Sequence, residues 1–246
     1  MEIIRSKANT SVKEAKKLHQ KKHRTSSYLI EGWHLLEEAQ KAGAKIEQVF
    51  VVEELADRVA DLPKVKVVSP EILQDLADSP SPQGVVAQIG LPTLDLPEQL
   101  RGRYLVLEDV QDPGNVGTMI RTADAAAYDG VFMSDKSADI YSMKVLRSMQ
   151  GSHFHLPVYR QPMSDILEFL RKNQVEILAT TLSSQSVDYK QVRPQGSFAL
   201  VMGNEGQGIS EQVVTAADQL VHISMPGQAE SLNVAVAAGI LVFSFI

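Results

Sequence analysis

The stretch Val201-Met202-Gly203-Asn204-Glu205-Gly206-Gln207-Gly208 constrains this chain more than any other. It follows the apolar run S-F-A-L-V-M at residues 197–202, whose composition predicts a buried strand, and leads into residues 209–217, which read as a helix. Three glycines within six residues let the backbone turn sharply and approach a ligand with no Cβ in the way. A small-molecule site and a bare strand-to-helix turn both satisfy this stretch alone. Two phosphate-binding patterns do not: no glycine precedes Lys-Ser or Lys-Thr, and the order G-x-x-G-x-G is not G-x-G-x-x-G. No strand ending in Asp or Glu follows about 20 residues on, where a ribose-binding acid belongs.

A second junction of the same type follows, with a strand at 219–224 leading into M-P-G-Q-A-E-S-L-N-V at 225–234. The two loops are expected to leave neighbouring strands in the same sense. A third is E-D-V-Q-D-P-G-N-V-G at 108–117. Ligands of parallel α/β sheets bind at the carboxyl ends of strands, so the three loops can share one site. Asn115, Arg121, Glu205, Glu230, Ser231 and Asn233 are its polar candidates. Each also has a plain reading: Asn115 a helix cap, Arg121 a surface cation, the two glutamates solvated loop acids. Ser231 lacks the G-x-S-x-G elbow and no histidine follows it, which argues against a hydrolase of that type.

Periodicity divides the chain. Strands are expected at 28–30, 48–52, 65–68 and 84–89, with helices at 12–22, 32–42, 55–60 and 70–77, a small α/β sandwich. The pair Ser11/Glu14 suggests a capping box for the first helix. Residues 91–101 carry two prolines and no sustained period, so domains are expected at 1–90 and 102–246 with a linker between them. In the second, strands are expected at 104–108, 130–134, 153–158, 176–180, 197–202 and 219–224, and helices at 115–127, 140–149, 164–173, 209–217 and 232–246. His153 and His155 flank Phe154 in what reads as a strand, on one face, but no third ligand accompanies them and no metal is expected.

The total charge of −6 is unevenly spread. Residues 1–30 hold eight basic side chains against Glu2 and Glu14, a net +6, which leaves −12 for the remainder. Such a segment is either an RNA-facing patch or the solvated face of a helix. The chain has no cysteine, which excludes disulfides and thiolate metal sites and fits a reducing compartment. No signal peptide or membrane span is expected, since the longest apolar stretch, 232–246, is short and interrupted by Asn233 and Ser244. A cytoplasmic protein is expected.

Three motifs in order resemble the SpoU (TrmH) family of the SPOUT methyltransferases. They are N-V-G-T-M-I-R-T-A at 115–123, extended by Gly130, Val131, Lys144, Arg147 and Gly151; M-G-N-E-G-Q-G at 202–208; and 223–234 with its S-L-N-V core. Residues 1–90 look like the family's ribosomal-protein-like RNA-binding domain, notably Y-L-I-E-G at 28–32 and P-Q-G at 82–84. The resemblance implies S-adenosylmethionine as methyl donor, a ribose 2′-hydroxyl of ribosomal or transfer RNA as acceptor, and a trefoil-knotted carboxyl-terminal domain working as a homodimer. It implies Gly203, Ile223 and Leu232 as cofactor contacts, with Met202, Gly208 and Met225 near them. Gly203 is then expected to leave space that the cofactor fills. The resemblance also implies Arg121 as the catalytic residue, with Asn115, Glu205, Ser231 and Asn233 holding the ribose and the site. The chain departs from the pattern at Ser224, where the family often has Pro, and at Ala235, where it often has Ser. Two alternatives stay open: an RNA-binding protein of this fold without chemistry, and a nucleotide-binding α/β protein of another class.

Overall fold

The structure, a computed structural model, describes residues 2–246. In chain order its elements are α1 (Thr10–Lys17), β1 (Ser27–Glu31), α2 (Trp33–Lys41), β2 (Ile46–Val51), β3 (Val65–Val67), α3 (Pro70–Ala77), β4 (Val85–Gly90), β5 (Arg103–Leu107), α4 (Pro113–Ala125), β6 (Gly130–Met133), α5 (Met143–Met149), β7 (Val158–Arg160), α6 (Met163–Lys172), β8 (Glu176–Thr180), β9 (Val187–Asp188), β10 (Phe198–Met202), α7 (Glu211–Ala216), β11 (Gln219–His222) and α8 (Val234–Ser244). They form two compact units. Residues 91–101 hold neither helix nor strand.

The first unit is a four-stranded sheet in the order β1-β4-β2-β3, antiparallel except for β2 with β3. Leu29, Phe50 and Val86 from its strands pack with Val12, Ile72 and Leu76 from α1 and α3. Helix α1 buries Val12 and Ala15 and turns its lysines outward. It starts earlier than expected because Asn9 is the cap, its Oδ1 accepting from the amides of Ser11 (2.9 Å) and Val12 (3.4 Å), so the Ser11 box is not used. It also stops at Lys17; residues 21–23 form a separate 3₁₀ turn.

This unit also takes in Asp139–Phe154, which the sequence assigns to the second domain. Its hold is chemical. Buried Arg24 pairs with Asp139, Tyr28 Oη lies 2.8 Å from His153 Nε2, and Met143 joins the core of α1, α3 and the sheet. Burial pushes the Tyr28 hydroxyl far above its ordinary value, with neighbouring Tyr141 adding to it, and Tyr141 itself is pushed up to about 12. His153 therefore lies in a 3₁₀ turn and not in a strand. His155 lies outside regular structure, its Nδ1 3.2 Å from Asp124 Oδ2, so the two histidines serve different neighbours. Among the described residues no group of three or more His, Asp or Glu side chains is placed to hold a metal ion.

The second unit is a seven-stranded sheet in the order β7-β6-β5-β10-β8-β11-β9, every pairing parallel. Strand β10 lies at its centre with all five residues buried, as expected of an unbroken apolar run covered on both faces. Val106, Phe132, Ile177, Ala199 and Val201 make the core on one face with α6 and α7. One expectation fails: β10 and β11 are not neighbours, because β8 lies between them. The two-residue β9 falls in what reads as loop. Among the described residues no helix is long and apolar enough to cross a membrane.

Candidate functional site

The loops after β5, β10 and β11 converge at one end of the parallel sheet, and a chain of hydrogen bonds joins them. The Glu205 carboxylate, on the β10 loop, accepts from the amides of Gln111 (3.2 Å) and Asp112 (3.0 Å) and from Asn115 Nδ2 (3.0 Å). Asn115 Oδ1 then accepts from Asn233 Nδ2 at 3.1 Å. Asn233 Oδ1 caps α8 through the amides of Ala235 (2.9 Å) and Val236 (3.3 Å). A further bond, Asn204 Nδ2 to the carbonyl of Asp109 at 2.8 Å, ties the β10 and β5 loops again. Asn115 is therefore not the cap of α4; that cap is Asp112, whose Oδ1 accepts from the Asn115 amide at 3.0 Å.

The Glu205 carboxyl is held below its ordinary value. Burial alone would raise it, and the bonds from Asn115 and from the amides of Glu205, Asp112 and Gln111 outweigh that effect. With both oxygens engaged, it is a poor proton acceptor and a good clip. Behind it, buried Glu108 accepts from the Ser210 amide (2.8 Å) and hydroxyl (2.6 Å) and so fixes the start of α7.

Gly203 is required by the loop itself. A Cβ there would lie 2.3 Å from the backbone carbon of Gly208, because Asn204 and Gly208 exchange backbone hydrogen bonds of 2.9 Å that close the turn. The expectation that Gly203 leaves space for a ligand is corrected: the neighbour is backbone of the same chain. Gly203→Ala should open the turn and lower ligand affinity by about tenfold or more, as a strained backbone of a few kcal/mol implies. Calorimetry on the folded variant checks this.

A cleft of about 600 Å³ opens beside these loops, within the range of small-molecule sites. Met202, Gly203, Gly208, Ile223, Met225, Ser231 and Leu232 all line it, together with Glu205 and Asn233. Arg121 does not. It is exposed on α4 beside Thr118 and Thr122 and makes no hydrogen bond or ion pair among the described residues. Glu230 is exposed and outside the lining. A larger groove of about 850 Å³ between α6 and α7 shares no residue with the cleft.

Residues 102–243 match the SpoU rRNA Methylase family, well over half of the chain. The chain belongs to that family. Residues 9–87 of this SpoU methylase match the MRM3-like substrate binding domain. It is 40% identical to the 23S rRNA (guanosine(2553)-2′-O)-methyltransferase RlmP of Bacillus subtilis, over 99% of this chain and 98% of that protein. The crystal structure of an AdoMet-bound rRNA methyltransferase from Sinorhizobium meliloti superposes with a TM-score of 0.90 at 33% identity, over 99% of this chain and 96% of that one. AviRb from Streptomyces viridochromogenes, in complex with AdoMet, does so with 0.87 at 25% identity, over 96% of each chain.

Sequence reasoning missed Thr180, Thr181, Leu182 and His222, which also line the cleft of this SpoU methylase. Thr180 ends β8, Thr181 and Leu182 follow it, and all three reach the cleft because β8 is inserted between β10 and β11, an order that no periodicity reveals.

Proposed function

We propose that this methylase transfers a methyl group from S-adenosylmethionine to a ribose 2′-hydroxyl of structured RNA, ribosomal before transfer RNA. The observation that carries the reading is the cleft at which three hydrogen-bonded loops meet. The residues present fit the donor. Apolar Ile223, Leu232 and Leu241 offer walls for a base, and neither Met225 nor Leu232 makes a hydrogen bond within the chain among the described residues, so their backbone groups are open to a ligand. Gly203, Ile223 and Leu232 are proposed to hold it, with Met202, Gly208 and Met225 beside them.

When bound, S-adenosylmethionine supplies an electrophilic sulfonium methyl group. The chain must then orient the ribose oxygen in line and stabilise the charge developing on it. Arg121 is the candidate for stabilising that charge. Its guanidinium has no partner among the described residues, so it is free to grip the phosphate next to the target ribose and to stabilise the alkoxide. It does so charged, because a guanidinium does not lose its proton at neutral pH. Asn115, Glu205 and Asn233 are positioning residues, and the Ser231 hydroxyl, without a partner among the described residues, is left to meet the ribose. Saturable binding of S-adenosylmethionine to the full chain tests the cofactor assignment, and its absence would exclude the reading.

The RNA is proposed to engage residues 1–90, with 91–101 as linker and 102–246, apart from the segment 139–154 that folds with the first unit, as the methyl-transfer domain. The basic segment is not uniformly available: Lys16 and Lys7 pair with Asp75 and Lys17 with Glu14, whereas Lys21 and Lys22, in the 3₁₀ turn after α1, make no ion pair among the described residues. Changing Lys21 and Lys22 to Ala should therefore weaken RNA binding and reduce its salt slope by about one unit per lost phosphate contact. A filter-binding titration at several salt concentrations checks this.

A homodimer and a trefoil knot belong to the same proposal. Of the apolar residues near the chain end, Leu241, Val242 and Phe245 are buried within one protomer. The exposed stripe is Val236, half-buried Ile240 and Phe243 on α8, which packs against α4, followed by exposed Ile246 just past the end of the helix. Such a stripe favours a second copy as its cover. Phe243→Asp should give a folded monomer by light scattering where the parent is a dimer. The order β5-β10-β8-β11 in the sheet supports the knot, an exception to the usual unthreaded connection. A ribosomal RNA substrate argues for a cytoplasmic location.

A further inference from the structure

The three glycines of the β10 loop differ in what requires them. A Cβ at Gly203 would meet the backbone of Gly208 at 2.3 Å, and Gly208 has φ +70°, in the left-handed region that other residues rarely adopt. The turn demands both. Gly206 is different: its φ lies outside that region, and an added Cβ would meet only Asn204 Oδ1, at 3.7 Å, an ordinary contact. The chain itself accepts an alanine there, and alanine would favour folding by restricting the unfolded state. A glycine that the fold does not use, in the lining of a ligand cleft, leaves the backbone open to close approach from outside.

The turn around Gly206 is firmly held. Asn204 and Gly208 exchange backbone hydrogen bonds of 2.9 Å, and Asn204 Oδ1 accepts from the amides of Gly206 (2.9 Å) and Gln207 (3.0 Å). Glu205 is turned onto the β5 loop, with both oxygens engaged. That leaves Gln207 at the tip. It is exposed, it lines the cleft, and its carboxamide has no hydrogen-bond partner among the described residues. A carboxamide carries both a donor and an acceptor, which suits the edge of an unpaired nucleobase.

Position along the loop separates the two ligands. Met202 and Gly203, at its base, are buried and belong to the part proposed for the cofactor, whereas residues 205–207 are exposed. Glu205, in the same tip, holds Asn115, and Asn115 holds Asn233, the residues proposed to position the ribose. The tip therefore lies on the ribose side of the cleft.

We propose that the Gly206–Gln207 tip receives the acceptor nucleotide: the RNA strand passes against the bare backbone of Gly206, and the Gln207 carboxamide hydrogen-bonds an edge of the base next to the target ribose. The proposal rests on the reading of the cleft as a ribose methyltransferase site, and it adds to that reading a residue that selects the nucleotide.

The test uses the full chain and unmodified ribosomal RNA transcripts. Gly206→Ala should melt at the wild-type temperature or up to about 3 °C above it. Its affinity for S-adenosylmethionine, by calorimetry, should stay within about twofold of the parent, while kcat/KM for the RNA falls by about tenfold or more, because a methyl group in the path of the strand displaces the ribose from the methyl donor. A wild-type kcat/KM would overturn the proposal. So would a parallel loss of cofactor affinity, which gives the tip to the cofactor, or a lower melting temperature, which gives Gly206 to the fold. Gln207→Ala is assayed on transcripts in which the methylated nucleotide is replaced by each of the other three. The wild type should favour its own nucleotide by about three- to tenfold more than the variant does, the range of one neutral hydrogen bond. Equal preference in the two proteins would overturn the base contact. If the wild type methylates no RNA, the function reading fails instead, and filter binding decides the tip: both variants should hold the RNA about threefold or more weakly than the wild type, and unchanged affinity would overturn the proposal.

Discussion

Arg121→Ala should lower turnover by about 10²-fold or more while cofactor affinity stays within about twofold of the parent and RNA affinity falls by less than about tenfold. Arg121 is exposed and hydrogen-bonds to nothing among the described residues, so removing it leaves the three loops and the cleft as they are. Its loss is then felt where charge develops on the ribose oxygen, which affects kcat more than KM. Lysine at this position should restore only part of the rate, because an ammonium offers a point charge in place of a planar fork. Single-turnover methylation with saturating RNA measures the effect. A wild-type rate in the alanine variant would remove Arg121 from the site.

Glu205→Ala should have the opposite signature. It leaves the amides of Gln111 and Asp112 and the Asn115 side chain without their acceptor, and Asn115 then no longer holds Asn233. Hydrogen bonds to a charged group contribute about 1.5–3 kcal/mol, so cofactor affinity should fall by about tenfold or more and thermal stability should fall with it. The pH dependence has a defined sign. A carboxyl held below its ordinary value stabilises the fold fully above the ordinary carboxylate range, and this contribution is lost as pH falls through the lowered value. Glu205→Gln should therefore remove part of the acid sensitivity of the wild type, measured by melting temperature against pH.

Elements whose burial pattern follows from local composition were legible. The fully apolar β10 and the Pro-started α3 are of this kind, since each is specified by its own residues. The convergence of three loops was legible because parallel strands carry their ligand loops at one end. Strand order was not: β8 separates β10 from β11, and that insertion brings Thr180, Thr181 and Leu182 to the cleft. Nor was the attachment of residues 139–154 to the first unit, which depends on Arg24 with Asp139 and Tyr28 with His153, pairs more than a hundred residues apart in sequence. The motif residues were found, but their roles in the fold were not. A Cβ at Gly203 would meet the backbone of Gly208, Asp112 caps α4 where Asn115 was a candidate, and Glu205 is a clip whose oxygens are both engaged.

Methyl transfer to a ribose hydroxyl of RNA is open to direct measurement. Purified protein is incubated with S-adenosylmethionine labelled in its methyl group and with unmodified ribosomal RNA; the RNA is then digested to nucleosides and separated. Label is expected in a single 2′-O-methylated nucleoside, and is expected to accumulate about a hundredfold or more slowly when Arg121→Ala replaces the wild type. Label on a base, or RNA left unlabelled by protein that binds both the cofactor and the RNA, would contradict the assignment of this chain as a ribose methyltransferase.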